Sequence, residues 1–486
     1  MLLGEYLMIE KNDMKHVKKT KIVATIGPAS AQDEVMPKMM EAGLNVARLN
    51  FSHGNFEEHQ RSFDMVRNHS KQLGRAVAVL QDLSGPKIRI GDFYQERVML
   101  TNGEEFVLTT DQACVGDEHK ASISYVNLIN EIKPGEPVLL DDGKKRLEVV
   151  RVEGQEIICK IMVGGETKGR RGVNLPGTDI KMSCLTEKDR KDLEFGIKND
   201  VEFMALSFVR KASDIEELRE ILKERGSKAQ IIAKIETPQA IADFDAILAA
   251  ADGIMVARGD LAVEVPMEQV PVLQKMIVSK ARQVGKPVIV ATQMLESMIN
   301  SPVPTRAEVN DVANAILDGT DAVMLSEEST LGKFPVEAVA TMTRIALYTE
   351  AHYPHKHIVA DGTDGSSEVV DSVTSAVTNT ARDIDAKIIV ALTESSFTPR
   401  MVSRHRPAQH IVVFTANERV ARKMALSFGC YAYVTAPFTQ LDDVITEARK
   451  ELIEKGFAEK GAQFVIVAGM PFGASGGTNL MMVETV

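Results

Sequence analysis

What most constrains this chain is a rhythm. Short apolar strands alternate with amphipathic helices, and nearly every strand ends in a polar or charged residue. The strands read from the pattern are 21–26, 45–51, 76–83, 201–208, 230–236, 253–257, 287–293 and 322–325. Outside one long gap they return every ~25–35 residues, the spacing of a (β/α)8 (TIM) barrel. An open doubly wound sheet is the alternative. Eight strands with polar tips favour the closed barrel, because barrel enzymes build their sites at strand C-termini.

The gap between Leu83 and Val201 has a different texture: short alternating strands with turn signals at Thr101-Asn102-Gly103, Asp141-Asp142-Gly143 and Val163-Gly164-Gly165. It reads as an all-β insertion that leaves the barrel after its third strand, on the site face. A hinged lid is the functional reading and an inert decoration the bland one. After the eighth strand a helix runs from Pro335 to about Glu350, followed by a polar linker over 354–367. A second α/β unit then carries strands at 387–393, 411–415, 431–435, 463–468 and 480–486, with helices at 369–382, 418–427 and 441–455. Its last two strands, joined by a Gly-rich turn, pair as a hairpin. The expected organisation is an N-terminal extension (1–19), a barrel catalytic domain (20–86 and 185–352), an inserted β-barrel-like lid (87–184) and a C-terminal open-sheet α/β regulatory domain (353–486).

A chain of 486 residues is too long for one core. A net charge of −11 without a Lys/Arg tract argues against a nucleic-acid surface. Four scattered cysteines (Cys114, Cys159, Cys184, Cys430) form no CxxC and fit a reduced, cytoplasmic protein. No apolar run reaches membrane-span length. Glu5, Glu10 and Asp13 interrupt the N-terminus, so it does not read as a signal peptide. The first ~15 residues are expected to be poorly ordered, and Met8 and Met14 are alternative starts.

The chemistry gathers at strand tips. Lys234 and Glu236 are two apart, so on a strand they share a face. A structural ion pair is the bland reading; an anionic substrate for Lys234 and a metal for Glu236 is the functional one. Arg48, Asn50 and Ser52 share a face in the same way, with Leu49 and Phe51 on the buried side. One guanidinium and two oxygen donors suit a phosphate beside a cation. Asp82 ends the third strand, and the rigid Gly85-Pro86 turn leads to Lys87 and Arg89. Gly259-Asp260 ends the sixth strand, where backbone N–H groups can approach a ligand carboxylate. Asp260 and Glu236, on adjacent strands, make a hard-cation site open to further oxygens. Mg2+ or Mn2+ suits it better than zinc, since no His or Cys accompanies the pair. Thr292 can donate to a carboxylate; Ser207 and Ser326 hold similar rim positions with weaker claims. Met294 and Met298 read as packing.

Together these residues resemble the pyruvate kinase family. The carrying motifs are Thr25-Ile26-Gly27-Pro28, Arg48-Leu49-Asn50-Phe51-Ser52-His53-Gly54, Gly85-Pro86-Lys87-Ile88-Arg89, Ile232-Ala233-Lys234-Ile235-Glu236, Ala257-Arg258-Gly259-Asp260, Ala291-Thr292-Gln293-Met294 and Pro304-Thr305-Arg306-Ala307-Glu308, in the family's order. The resemblance implies transfer of the phosphoryl group of phosphoenolpyruvate to ADP, giving pyruvate and ATP, the last step of glycolysis. It implies that Glu236 and Asp260 hold the divalent metal, Lys234 lies against the phosphoryl group and Arg48 grips it. Gly259, Asp260 and Thr292 then receive the carboxylate, with Thr292 near where the enolate is protonated. Asn50, Ser52, His53 and Arg89 lie toward the nucleotide. A homotetramer is the family's habit.

Three departures stand out. Many relatives hold K+ through oxygens at the positions of Asn50, Ser52, Asp82 and a hydroxyl residue. Here that hydroxyl is Leu83, and Lys87 stands where an acid is frequent, so Lys87 is expected to replace the ion and K+ is not required. Ala262 stands where Gly is common. Ser326-Glu327-Glu328-Ser329 replaces a Ser-Gly-Glu-Thr pattern, which weakens Ser326 as a site residue. In the C-terminal unit, Thr393, Ser395, Ser396 and Thr398 follow a strand and open a helix. They fit a phosphorylated effector, as relatives bind there, or an ordinary capped turn. Two rivals remain: a Mg2+-dependent lyase or aldolase on a similar enolate, and a non-catalytic paralogue. Intact Arg48, Lys234, Glu236, Asp260 and Thr292 argue against the second.

Overall fold

The computed structural model describes residues 17–353, 368–472 and 477–486. The expected loose N-terminus, the 354–367 linker and the centre of the Gly-rich turn lie outside them. Three barrel strands come first: β1 (Lys21–Thr25), β2 (Val46–Asn50) and β3 (Ala78–Asp82). The insertion follows with β4 (Arg97–Leu100), β5 (Glu105–Thr109), β6 (Lys120–Ser122), β7 (Pro137–Leu140), β8 (Lys145–Glu153), β9 (Glu156–Val163), β10 (Gly165–Lys168) and β11 (Val173–Asn174). The barrel resumes with β12 (Phe203–Leu206), β13 (Gln230–Ile235), β14 (Gly253–Ala257), β15 (Val288–Ala291) and β16 (Ala322–Leu325). These eight strands close in the order β1-β16-β15-β14-β13-β12-β3-β2, all parallel.

Closure has a physical consequence. Strand residues alternate between the barrel interior and the surrounding helices. Val23, Val46, Ala78, Leu80, Phe203, Ala205, Ile232, Met255, Ile289, Ala291, Ala322 and Met324 form the interior cluster. Continuing the same parity toward the strand ends gives Thr25, Arg48, Asn50, Asp82, Ser207, Lys234 and Glu236. The apolar interior therefore gives way to a polar mouth. At the opposite end Ala425 and Leu426 join the interior cluster, so the C-terminal domain stops the floor. Helix starts are fixed locally by reciprocal capping at Asn55/Glu58, Thr186/Asp189 and Thr305/Glu308.

Two of the expected barrel strands, 201–208 and 287–293, end two residues early, for one reason. Phe208 has φ 55°, and Thr292 and Gln293 have φ 71° and 52°. The chain turns through the left-handed region at these tips, which extended pairing does not tolerate. Likewise Asp260 lies not on the strand but on a short helix, Arg258–Glu264, that follows it.

The insertion forms a six-stranded sheet, β11-β7-β8-β9-β5-β6, and a two-stranded β10-β4 sheet over one shared core. The C-terminal unit is a five-stranded sheet: β17 (Ile388–Leu392), β18 (His410–Thr415), β19 (Cys430–Val434), β20 (Gln463–Ala468) and β21 (Leu480–Thr485), ordered β19-β18-β17-β20-β21. β20 and β21 pair antiparallel, as the hairpin reading expects. A helix at Phe397–Ser403 separates β17 from β18, and the helix expected over 418–427 breaks at Lys423 into a 3-10 turn. Among the described residues no helix is long and apolar enough to cross a membrane.

Candidate active site

The barrel mouth is a chain of buried charges. Arg48 donates from Nε to Asp82 Oδ2 at 2.6 Å and from Nη1 to Thr25 Oγ1 at 2.8 Å. Asp82 is 1% exposed and lies 3.4 Å from Lys234 Nζ through its other oxygen. Lys234 Nζ donates to Ser207 Oγ at 2.6 Å and contacts Glu236 Oε1 at 3.0 Å. Ser207 is held in turn by donating to Leu83 O at 2.7 Å. Gly85 makes this packing possible: it has φ 66°, and a Cβ there would lie 2.9 Å from Ser207 Cβ.

Charge balance sets the protonation states. Burial pushes the Asp82 carboxyl up, but Lys234 and Arg48 outweigh it and hold it below its ordinary value. Burial disfavours the Lys234 ammonium, yet Asp82 and Glu236 raise its pKa well above the usual lysine range. Glu236 goes the other way. Burial raises it and the negative charge of Asp260 adds to this, while Lys234 and the Phe208 N–H oppose. Phe208 N donates to Glu236 Oε2 at 2.7 Å. The other oxygen, Oε1, has no hydrogen-bond partner; the Lys234 contact is an ion contact without hydrogen-bond alignment. A buried carboxylate with an orphaned oxygen, raised further by a second carboxylate, suits a divalent cation. Among the described residues no group of three or more His, Cys, Asp or Glu is placed to hold an ion.

Thr292 Oγ1 accepts from the Gly259 N–H at 2.8 Å and donates to Ala291 O at 2.6 Å. The Gly259 amide expected for a ligand already faces the Thr292 hydroxyl. Arg258 pins this corner: it donates to Thr292 O at 2.7 Å and pairs with Asp311 at 2.7 Å. Lys87 Nζ stands 3.8 Å from Asp260 Oδ1. The cations that depress Asp82 are Lys234 and Arg48. Leu83 is 1% exposed and brings no side-chain oxygen. Toward the lid, Asn50 is half-buried, while Ser52, His53 and Arg89 are exposed. Met294 and Met298 are fully buried. In the Ser326 to Ser329 segment, Glu328 accepts from Ser326 N at 2.7 Å and Leu295 N at 3.0 Å, a structural role.

The four residues expected to hold an effector, Thr393, Ser395, Ser396 and Thr398, lie in the C-terminal domain beside β17. Thr393 Oγ1 accepts from Ser396 N at 2.9 Å, and Thr398 and Thr478 share a hydroxyl contact at 2.8 Å. Ser396 has φ 81°, a conformation that favours glycine, and its buried hydroxyl has no hydrogen-bond partner. A cavity of about 50 Å3 opens here, lined by Thr393, Ser395, Thr398, Phe414 and Phe438.

Sequence reasoning underrated Ser207 and assigned no role to Thr25, the residues that hold Lys234 and Arg48. Strand parity carried the signal: Ser207 follows Phe203 and Ala205 on the inward face.

Fold and mouth together define an anion-handling (β/α)8-barrel enzyme with a β lid and an appended α/β domain. The pyruvate kinase barrel-domain model matches residues 17–339 and the pyruvate kinase alpha/beta-domain model residues 371–484. The chain is 46% identical to a pyruvate kinase of Geobacillus stearothermophilus over 473 residues, covering 96% of this chain and 80% of that protein. A pyruvate kinase of Clostridium perfringens is 43% identical over 474 residues, 97% of this chain and all of that one. The crystal structure of a pyruvate kinase from Cryptosporidium parvum superposes with a TM-score of 0.92 at 35% identity, covering 99% of both chains. The chain belongs to the pyruvate kinase family.

Proposed function

We propose that this protein transfers the phosphoryl group of phosphoenolpyruvate to ADP, giving pyruvate and ATP as the last step of glycolysis. The observation that carries the reading is Lys234. Its ammonium is held charged at the centre of the barrel mouth, within reach of Asp82, Ser207 and Glu236. In the transfer, the bond from phosphorus to the enol oxygen breaks and one to a terminal ADP oxygen forms. Arg48, aligned by Asp82 and Thr25, grips the phosphoryl group. Lys234 spreads the negative charge that develops on it. Gly259, Asp260 and Thr292 orient the carboxylate, which requires the Gly259 N–H and the Thr292 hydroxyl to exchange their present bonds to Thr292 and Ala291 O for the ligand. Thr292 is also the residue nearest the proton uptake in this reading. Asn50, Ser52, His53 and Arg89 line the nucleotide side. Glu236 and Asp260 would hold Mg2+ or Mn2+, which when bound neutralises phosphate charge.

Leu83, which brings no side-chain oxygen, supports activity without K+; Lys87, expected to replace the ion beside Asp82, stands instead against Asp260, and the cations beside Asp82 are Lys234 and Arg48. The cavity beside β17 supports binding of a phosphorylated effector. Exposed Met267, Val272, Val303 and Leu331 on the barrel support self-association as a homotetramer, and free cysteines fit the cytoplasm. The deciding experiment is coupled turnover of phosphoenolpyruvate and ADP, with and without Mg2+ or Mn2+, K+ and phosphorylated metabolites. We expect metal-dependent, ADP-dependent turnover in tetramethylammonium buffer. Enolate chemistry without ADP would favour the lyase, and a large saturable K+ activation would overturn K+ independence. Cooperative curves that no phosphorylated metabolite shifts would count against the effector site.

A further inference from the structure

The short helix Arg258–Glu264 carries Gly259 and Asp260, and both stems of the lid hold it. On the entering stem, Lys87 Nζ stands 3.8 Å from Asp260 Oδ1. On the returning stem, Asn174, which ends β11, donates from Nδ2 to Glu264 Oε1 at 2.8 Å. Asp260 and Glu264 are four apart, so both contacts fall on one helix face. The turn after β7 adds a third approach: a Cβ on Gly143 would lie 3.4 Å from Val263 Cγ1. Between the stems lies a cavity of about 70 Å3, lined by Lys87, Asn174, Phe208, Thr237 and Glu264. The lid thus meets this helix through a few polar contacts and one close backbone approach, with the cavity beside them.

Glu264 is poorly placed for helix stability. An acid in the last turn meets the negative end of the helix dipole. Burial disfavours its charge and Asp260 adds repulsion, while the Asn174 amide and the Leu175 N–H, both on the returning stem, oppose. An alanine or lysine would serve the helix better. We infer that Glu264 is a positioning residue that, through Asn174, ties the stance of the lid to the placement of Asp260 and Gly259. This rests on the roles proposed above for Asp260 and Gly259.

The test compares full-length Glu264→Ala, Glu264→Gln, Asn174→Ala and the Asn174→Ala/Glu264→Ala double variant. Mn2+ binding is measured without substrate, together with steady-state kinetics and the thermal midpoint. A lost hydrogen bond to a charged group predicts that each alanine variant weakens Mn2+ binding and raises the KM for phosphoenolpyruvate about tenfold. The effect on kcat should be smaller. The double variant should be no worse than the worse single one, because both break one link. Glu264→Gln, whose amide oxygen still accepts from Asn174, should stay within about twofold of wild type on this account. Multiplying single effects, a Glu264→Gln variant as impaired as Glu264→Ala, or a shift in thermal midpoint alone would overturn the inference. Mn2+ binding is read without turnover. An inactive wild type would therefore break the proposed reaction, whereas additive binding losses would break the lid linkage alone.

Discussion

Two buried glutamates sit at opposite ends of neighbouring barrel strands, and the molecule treats them differently. Glu202, at the floor before β12, and Glu236, at the mouth after β13, are both fully buried. Glu202 takes two bonds of 2.8 Å from Arg67, one of 2.6 Å from Arg422 and one of 2.7 Å from the Val79 N–H. Glu236 takes one backbone N–H and an ill-aligned ammonium, and one of its oxygens lacks a hydrogen-bond partner. Folding requires buried charge to be satisfied. The floor meets that requirement in full, and the mouth leaves it short where a cation and an anionic substrate would complete it. The shortfall, rather than the burial, separates a site from a scaffold.

The largest expected effect is at Lys234. An ammonium ~4 Å from moving charge, at an effective dielectric near 20, contributes about 4 kcal/mol. That is roughly a thousandfold in rate. Lys234→Met should lose at least that much kcat while Mn2+ still binds, because Glu236 and Asp260 remain. Retention of a tenth of wild-type turnover would refute the role.

Next comes a matched pair that tests the two ends directly. Glu202→Gln leaves Arg67 without its carboxylate and Arg422 with only the exposed Glu418 at 3.6 Å, and should cost about 3–5 kcal/mol of stability, with kcat per folded molecule unchanged. Glu236→Gln keeps an acceptor for the Phe208 N–H and removes an unfavourable buried charge. Its stability should change by less than about 1 kcal/mol, while Mn2+ affinity falls at least about tenfold. Denaturant unfolding and metal titration read both. Equal destabilisation by the two substitutions would erase the distinction between floor and mouth.

The sequence made much of this legible because strand geometry is so restrictive. A two-residue period places Arg48 with Asn50 and Lys234 with Glu236, and the recurrence of polar tips points to a barrel. What it could not supply were partners across the ring. That Ser207 holds Lys234 depends on β12 and β13 being neighbours, 27 residues apart in sequence. The Asn174–Glu264 bond spans 90 residues and joins two domains, and no local pattern announces it. The pattern places Asp260 at a strand tip. The backbone instead turns directly into a helix, whose Gly259 amide bonds to Thr292 at the end of the next strand.

The smallest expected effect lies away from both ends and sharpens the contrast through pH. His405, in the C-terminal domain, lies with Nε2 3.2 Å from Thr374 Oγ1. Burial pushes its pKa down to about 4; Arg404 and Arg282 add to this, and Asp371 opposes. In the unfolded chain it titrates near the ordinary value of 6.5. As pH falls below that value the unfolded state takes up a proton that the folded state refuses until about pH 4. Stability from this group is therefore complete above neutrality and is lost through the intervening window, by about 2–3 kcal/mol between pH 7 and 4.5. His405→Asn cannot titrate, so its stability difference from wild type should shift by that amount across the window. At the mouth, Asp82 is protected over the same range, whereas burial and Asp260 push Glu236 the other way. Lys234 and Arg48 hold Asp82 ionised against its burial, so its contribution fades only at lower pH. A pH-independent difference between the two proteins would mean that the folded His405 ring accepts a proton as readily as the unfolded one. The early acid sensitivity would then have to come from groups other than Asp82, which Lys234 and Arg48 hold against it.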